Sequence, residues 1–230
     1  MKLSVNLKSI LLSLLLTTSL EASAKCFNAA NDVLKFAAAL EGTSSCSGFY
    51  ITPTTVLTAK HCTSGNPRVW LPNFSSVNDI NYRKGSVEEE GGYVPTRVVF
   101  GPGDIALLTV PPHPTLKYDD FRCLNLAPGR LAIGGYLVGG VRQNNKDLQT
   151  LAFPLVSICE NPQMRGRYLE CSSASNPGQS GSALIQYNYT DDKFEVLGVA
   201  SQAMTINKNE VAYRGKTRVT PIYDIHLPGE

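Results

Sequence analysis

Short apolar segments broken by glycine and proline recur along most of the chain and constrain its fold more than any other feature. They are rich in the β-branched and aromatic residues that favour strands, and no helical segments alternate with them. Many short strands without intervening helices predict an all-β barrel or sandwich. The predicted strands are residues 47–52, 55–59, 68–71, 93–100, 105–110, 131–133, 136–138, 148–156, 167–171, 183–187 and 194–201.

Two helices and a linker complete the predicted architecture. Residues 28–40 are mostly apolar and begin near a capping asparagine, which predicts a short N-terminal helix. A C-terminal helix is predicted to begin at Pro221, because proline suits the first helical position. The proline-rich residues 111–114 divide the strands into two similar groups, which suggests two packed barrels.

The first 24 residues have the pattern of a secretory signal peptide. Lys2 and Lys8 precede the apolar run 10–16, and Ala22-Ser23-Ala24 follows as a small-x-small cleavage site. The run is shorter than a membrane span requires, so an uncleaved anchor is the less favoured alternative. We therefore expect residues 1–24 to be removed and the protein to be secreted or periplasmic, without membrane association after cleavage.

Charge and length narrow the classes of partner. The formal net charge of the whole chain is +2, and no basic block or basic–aromatic patch is present. This composition argues against a nucleic-acid partner. The remaining residues, 25–230, are enough for one large domain or two small ones.

An even number of cysteines, six, follows the signal segment. Behind a secretion signal this count indicates disulfides formed in an oxidising compartment. Six cysteines allow fifteen pairings, so the count alone does not choose among them. A zinc site would need close pairs such as C-x-x-C, which the sequence lacks, so we expect no metal. The cysteines are Cys26, Cys46, Cys62, Cys123, Cys159 and Cys171.

A serine between two glycines stands in the loop Asn176-Pro177-Gly178-Gln179-Ser180-Gly181-Ser182. Glycines allow positive φ and close backbone approach, so neighbouring N–H groups can point at an incoming oxygen. This composition suits an exposed nucleophilic hydroxyl. Most such turns are only turns, so the interpretation depends on a base and an acid elsewhere in the chain.

His61 and Asp104 are the candidate base and acid. A serine nucleophile needs a base of near-neutral pKa, and imidazole is the usual one. His113 lies in the proline-rich linker and His226 near the C-terminus, whereas His61 follows an apolar strand. Asp104 opens an apolar strand, where a carboxylate needs a partner that a histidine N–H can supply. A structural histidine beside a disulfide and an aspartate in a glycine-proline turn are the alternatives.

Four segments carry a family resemblance: Cys46-Ser47-Gly48-Phe49, Thr58-Ala59-Lys60-His61-Cys62, Asp104-Ile105-Ala106-Leu107-Leu108 and Gly178-Gln179-Ser180-Gly181-Ser182. In this order they resemble the trypsin/chymotrypsin superfamily of serine endopeptidases, over about residues 44–225. The resemblance implies two packed six-stranded antiparallel β-barrels with the site in the cleft between them. It also implies a secreted serine endopeptidase, monomeric and without a cofactor, that cleaves protein or peptide substrates through an acyl-enzyme.

The same resemblance assigns roles to single residues. It implies His61 as general base, Asp104 as its orienting acid and Ser180 as nucleophile. The N–H groups of Gly178 and Ser180 would form the oxyanion hole. Ser201 matches the family serine that hydrogen-bonds the catalytic aspartate, and its loop would flank the substrate backbone.

The resemblance also implies domain limits and disulfide pairs. Residues 25–43 would form an N-terminal segment, and residues 44–115 the first barrel with His61 and Asp104. Residues 116–230 would hold the linker, the second barrel with Ser180 and the C-terminal helix. The implied disulfides are Cys46–Cys62, Cys26–Cys123 and Cys159–Cys171.

The residue before the nucleophile departs from the pattern of many relatives. They carry an aspartate there that pairs with a new α-amino group after propeptide cleavage, whereas this chain has Gln179. We therefore expect no such ion-pair activation. The nucleophile loop is nearer the bacterial glutamyl-endopeptidase-like branch. That branch's histidine for acidic side chains should fall near Ala200 and is absent, which argues against glutamate specificity.

The predicted substrate pocket carries no charge. The residue six positions before Ser180, where trypsin-like members keep an acid, is Ala174, with Ser175 beside it. Ala203 falls near the pocket wall. These residues predict preference for a small or medium uncharged side chain before the cut.

Two other classes remain as alternatives. One is a non-catalytic binding protein that keeps the scaffold, since fold does not fix function. The other is an esterase of the nucleophile-elbow type, which expects the order serine, acid, histidine. The order here is His61, Asp104, Ser180.

Overall fold

The computed structural model describes residues 26, 32–72, 92–130, 133–143, 151–173, 177–204 and 216–223, with the backbone alone at 32, 143, 151–153 and 202–204. The predicted signal peptide, residues 1–24, and the predicted pocket residues Ala174 and Ser175 lie outside these ranges. Within them, no helix has the length and apolar character needed to cross a membrane.

The first sheet contains six antiparallel strands in the order β4-β1-β2-β3-β6-β5. Pro53 and Thr54 separate β2 from β3, as the sequence predicted from its glycine and proline breaks. The strands are β1 (Ala37–Glu41), β2 (Ser45–Thr52), β3 (Thr55–Thr58), β4 (Arg68–Trp70), β5 (Arg97–Phe100) and β6 (Ala106–Thr109).

The second sheet has a main path of seven strands in the order β10-β11-β14-β13-β12-β8-β9, and an eighth, β7, pairs with β13 in parallel. All pairings along the path are antiparallel. The strands are β7 (Leu124–Leu126), β8 (Gly135–Gln143), β9 (Leu151–Cys159), β10 (Gln163–Arg165), β11 (Tyr168–Cys171), β12 (Ala183–Asn188), β13 (Lys193–Met204) and β14 (Lys216–Pro221). The prediction of an all-β fold is confirmed.

The predicted N-terminal helix over residues 28–40 is wrong over residues 37–40, and its residues 28–31 lie outside the described ranges. A short 3-10 helix covers Asp32–Phe36, and the chain then enters β1. Ala37 to Leu40 are fully buried, and β1 lies between β2 and β4. Alanine and leucine favour a helix locally, but a segment with neighbours on both sides gains more by joining the sheet.

The predicted C-terminal helix is not confirmed. Pro221, its expected first residue, is the last residue of β14, and residues 224–230 lie outside the described ranges. The first predicted barrel has its six strands, whereas the second sheet has eight. Two antiparallel sheets with few helices are therefore confirmed, whereas two barrels of six strands each are not.

The apolar core has two large parts. One part lies inside the second sheet and includes Leu137, Leu169, Leu184 and Leu197. The other joins the first sheet to the outer face of the second, where Ile185 faces the same cluster as residues of β1 and β2. The two sheets therefore pack against each other through apolar contacts at this junction.

Strand β8 approaches the first sheet closely. A Cβ at Gly140 would lie 2.7 Å from the Ala38 carbonyl carbon, so only glycine fits at this crossing. Two residues further, the Arg142 guanidinium lies 3.7 Å from the Trp70 ring centroid and pairs with the Glu41 carboxylate. Arg142 in the second sheet thus contacts β1 and β4 of the first.

All three predicted disulfides form. Their Cα–Cα separations, 5.6 Å for Cys26–Cys123, 5.9 Å for Cys46–Cys62 and 5.1 Å for Cys159–Cys171, suit the bond. The first ties the N-terminal segment to the start of β7, the second closes the segment that contains His61, and the third joins β9 to β11. Closing a loop of about 15 residues stabilises by about 3 kcal/mol in the chain-entropy model.

His113 is a structural residue of the linker, as its sequence context indicated. Its Nδ1 accepts hydrogen bonds from the backbone N–H groups of Thr115 and Leu116, at 3.2 and 3.1 Å. Its ring stands edge-on to the buried Tyr50 ring, with centroids 4.9 Å apart. Burial lowers the pKa of His113 to about 4, against a smaller opposing effect of Asp120. An imidazole that accepts two backbone hydrogen bonds must be neutral.

We predict that His113 makes the protein less stable in mild acid. Its pKa is about 4 when folded and ordinarily 6.5, so the unfolded chain binds more protons between these values. The free energy of unfolding should therefore fall as the pH decreases from about 6.5 towards 4. Urea unfolding of the wild type and His113→Asn across this range tests the prediction: the variant should show a weaker pH dependence, and equal slopes would contradict it.

Candidate active site

Strand pairing brings the candidate base and acid to one edge of the first sheet. Thr58, the last residue of β3, is the partner of Ala106, the first residue of β6. The chain leaves β3 into a 3-10 helix, Lys60–Thr63, that carries His61. Asp104 lies two residues before β6. The two side chains therefore project from neighbouring strand ends.

His61 and Asp104 form two hydrogen bonds. The His61 backbone N–H donates to Asp104 Oδ1 at 3.0 Å, and His61 Nδ1 lies 2.7 Å from Asp104 Oδ2. The Lys60 backbone N–H donates to the Asp104 carbonyl at 3.2 Å, which fixes the two segments against each other. Because the carboxylate accepts at Nδ1, the neutral ring carries its proton there and leaves Nε2 as acceptor.

The pair is open to solvent, and its charge favours a protonated imidazole. The His61 side chain is 44% exposed and that of Asp104 25% exposed, so a ligand can reach the ring. The hydrogen bond that His61 donates to Asp104 raises the pKa of His61 above 6.5, burial of the ring acts in the opposite direction, and the carboxylate charge raises the pKa further. A partner that stabilises the imidazolium suits a residue that must accept a proton.

The loop with Ser180 is held by backbone hydrogen bonds to both sheets. The Ser180 carbonyl accepts from the Ser47 N–H in β2 at 2.7 Å, and Cys62 Sγ lies 3.5 Å from the same oxygen. The Gly181 N–H donates to the Ala200 carbonyl in β13 at 2.7 Å. The histidine segment and the serine loop are thus in direct contact.

Gly178 and Gly181 both have positive φ, +87° and +92°. A side chain at Gly181 would also overlap the Ser47 carbonyl oxygen, so glycine is required twice over. Among the residues that the structure describes, the N–H groups of Gly178 and Ser180 donate no hydrogen bond. Two such amides in one tight loop are donors that an incoming oxygen could use.

Gln179 points away from solvent. It is fully buried, and its Oε1 accepts a hydrogen bond from the Ser157 hydroxyl in β9 at 3.0 Å. Its carbonyl accepts from the Ser182 N–H at 2.9 Å. The sequence analysis singled out Gln179 because many relatives have an aspartate at this position. In the structure its side chain bonds to a neutral group, the Ser157 hydroxyl of the second sheet.

The other predicted site residues lie around this centre with different contacts. The Ser201 hydroxyl contacts the Val199 carbonyl at 3.3 Å and the Thr220 hydroxyl. In the described part of the chain, the Asp104 carboxylate bonds to His61 alone, so Ser201 does not reach it. Ala203 lies in β13, where only its backbone is described.

Cys46, His61 and Cys62 are the group in the described ranges whose ligand atoms could surround a metal, all within 4.8 Å of one another. Both cysteines are consumed by their disulfide. A disulfide sulfur is not a thiolate ligand, so this group is a covalent brace beside His61.

Two residues that sequence reasoning did not assign to the site contact its loops. The Thr58 hydroxyl donates to the Ser47 carbonyl at 2.7 Å, and the Ser47 hydroxyl contacts the Gly178 carbonyl at the same distance. Both residues stood inside quoted motifs, but nothing local in the sequence shows that they meet a loop more than a hundred residues away.

The sequence matches a known protein family. The family model described as Trypsin matches residues 27–225, most of the chain. The protein therefore belongs to the trypsin family, and its two antiparallel sheets are those of the trypsin-like fold. A solved structure with a similar backbone is the Rv3671c protease in its inactive form, at 18% identity and a TM-score of 0.48, covering 84% of this chain and 87% of that one. No curated protein matches the sequence.

We predict that Asp104 controls the pKa of His61. In Asp104→Asn the carboxylate charge and the hydrogen bond that stabilise the imidazolium are lost, while burial of the ring remains. The pKa of His61, followed by NMR titration, should therefore fall from above 6.5 in the wild type to a lower value in the variant. Asp119→Asn, which removes an exposed carboxylate, serves as control. An unchanged His61 titration in Asp104→Asn would contradict the prediction.

Proposed function

We propose that the protein is a secreted serine endopeptidase that acts through Ser180, His61 and Asp104. The observation that carries the proposal is the solvent-open His61–Asp104 pair, 2.7 Å apart, in a trypsin-family chain whose serine loop touches the residue after His61. Three disulfides are in keeping with export. The division into an N-terminal segment and two barrels, and a monomeric state, belong to the same proposal.

The chemistry follows from the roles of these groups. Ser180 Oγ attacks the peptide carbonyl while His61 Nε2 takes its proton, and Asp104 stabilises the imidazolium. His61 then gives the proton to the leaving amine, which leaves an acyl-enzyme on Ser180. A water molecule deprotonated by His61 hydrolyses the acyl-enzyme and regenerates the serine. The N–H groups of Gly178 and Ser180 stabilise the negative oxygen at each tetrahedral stage, a contribution of roughly 3–4 kcal/mol in such sites.

The proposed nucleophile loop needs no new N-terminus to form. Residues 40–46, where a relative of the self-activating kind would be cut, lie in the β1–β2 hairpin, with Leu40 paired to Cys46. β1 has strands on both sides, so a new N-terminus here could leave the hairpin only by breaking the pairing of β1 with β2. Gln179 is already hydrogen-bonded to Ser157. We therefore propose that activity does not depend on an ion pair at this position.

The substrate preference is proposed from sequence. Ala174, Ser175 and Ala203 put no charge in the predicted pocket, which favours a small or medium uncharged side chain before the cut. The loop ending Ser180-Gly181-Ser182 relates the chain to the glutamyl-endopeptidase-like branch without that branch's histidine for acidic side chains. Profiling of cleavage sites on a peptide library tests the preference, and a dominant cut after Glu, Lys or Arg would contradict it.

A fluorophosphonate probe tests the proposed function. The probe should label the wild type, and Ser180→Ala should abolish both labelling and peptide cleavage, because the attacking oxygen is gone. The value of kcat/KM should rise with pH through a midpoint above 6.5, since His61 must be neutral and its pKa is raised. EDTA should leave the activity intact. A wild type that is neither labelled nor able to cleave peptides would instead favour the non-catalytic scaffold.

Independence from N-terminal cutting gives a separate prediction. Protein with residues 40–46 intact should react with the probe at full rate, because the loop around Ser180 is complete without a new α-amino group. N-terminal sequencing of the labelled species identifies its first residue. Labelling found only after a cut near residues 40–46 would contradict the proposal, and Gln179 would then need another role.

A further inference from the structure

Ser47 contacts the serine loop at two points from the opposite sheet. It is fully buried in β2, and its N–H donates to the Ser180 carbonyl at 2.7 Å. Its Oγ lies 2.7 Å from the Gly178 carbonyl and 2.7 Å from the Gly140 carbonyl in β8, so one hydroxyl proton is shared between two acceptors. The Ser47 carbonyl is in turn held by the Thr58 hydroxyl at 2.7 Å.

The peptide after Gly178 depends on this hydroxyl. The neighbouring peptides have anchors of their own, because the Gln179 carbonyl accepts from Ser182 and the Gly181 N–H donates to Ala200. In the part of the chain that the structure describes, the Gly178 carbonyl accepts from Ser47 alone. Gly178 has a φ of +87° and no Cβ to limit rotation, so the hydrogen bond is what keeps its carbonyl pointing inwards.

We propose that Ser47 is a positioning residue for the oxyanion-binding amide of Gly178, acting through the Gly178 carbonyl. This inference rests on the proposed function. A donor stabilises a developing negative charge only if its direction is fixed before the reaction. The Gly178 N–H belongs to the preceding peptide, so the hydroxyl acts on it indirectly: with the carbonyl held, the Gly178 Cα is fixed and the N–H can turn only about the N–Cα bond. Without the hydroxyl, the loop would spend part of its time in other orientations.

The test compares two buried hydroxyls of the same size. Ser47→Ala removes the contact to Gly178. Ser182→Ala removes a fully buried hydroxyl that has no hydrogen-bond partner in the described ranges and is the matched control. Loss of a whole oxyanion donor costs about 10²–10³ in kcat, so an amide misdirected part of the time should cost about ten-fold or more. KM should stay within about two-fold in Ser47→Ala, because the lost stabilisation belongs to the transition state.

Two further measurements separate positioning from folding. Inhibition by a peptide aldehyde, which forms a tetrahedral adduct on the serine, should weaken in Ser47→Ala in proportion to kcat. The pH midpoint of kcat/KM should not move, because the His61–Asp104 pair is untouched. Rates are expressed per site titrated with the fluorophosphonate probe, so loss of folded protein alone would leave kcat per site unchanged.

The outcomes distinguish this inference from the function on which it rests. An active wild type, an inactive Ser180→Ala and an unchanged kcat per site in Ser47→Ala would overturn the positioning role and leave the peptidase proposal intact. Equal losses in Ser47→Ala and Ser182→Ala would also overturn it. If Ser47→Ala does not fold, the same measurements are made on Ser47→Gly, which lacks the same hydroxyl, and they are judged by the same criteria. A wild type inert to probe and peptides would defeat the function itself.

Discussion

The site depends on hydrogen bonds that cross from one sheet to the other. The segment from Gly178 to Ser180 follows strands of the second sheet, yet two of its carbonyls are bound by Ser47 of the first. A hydrogen bond of this kind contributes about 1 kcal/mol net, but a buried carbonyl left without one costs about 1–3 kcal/mol. Movement of the loop would leave these carbonyls without a donor, and this cost restrains the loop more strongly than the net contribution of the hydrogen bonds suggests. The close approach at Gly140 is what makes the crossing possible.

Much of the fold could be predicted from local pattern, and the failures have a common cause. The strands at residues 105–110 and 183–187 were recognisable because glycine and proline end them and their composition is apolar and β-branched. Ala37 to Leu40 were assigned to a helix for an equally local reason, their high helix propensity. The structure places them in a central strand because neighbours on both sides bury them completely, and no short-range signal in the sequence reports those neighbours.

The candidate base and acid could be predicted because each residue stands next to an apolar strand that is recognisable in the sequence, and these two strands pair in the first sheet. His61 follows β3, Asp104 precedes β6, and the pairing of Thr58 with Ala106 puts both at one edge. The contact of Ser201 with Thr220, in place of the one expected with Asp104, was not predictable, because it depends on how β13 and β14 pair. The disulfides fall between these cases: their pairing came from the family resemblance, since six cysteines alone leave the choice open.

The two halves of the proposed mechanism are physically separable. The group that raises the pKa of His61 comes from the first sheet, because Asp104 is supplied by the neighbouring strand and both of its carboxylate oxygens bond to His61. The geometry of the serine and its amides is set at the junction, through Ser47 and the buried Gln179–Ser157 contact. A change at the junction should therefore alter catalysis without altering the pKa of His61, whereas a change at Asp104 should alter both. A neutral glutamine beside the proposed nucleophile fits this division. The conformation of the loop would then be held by its contacts with the two sheets, without an ion pair to a new α-amino group.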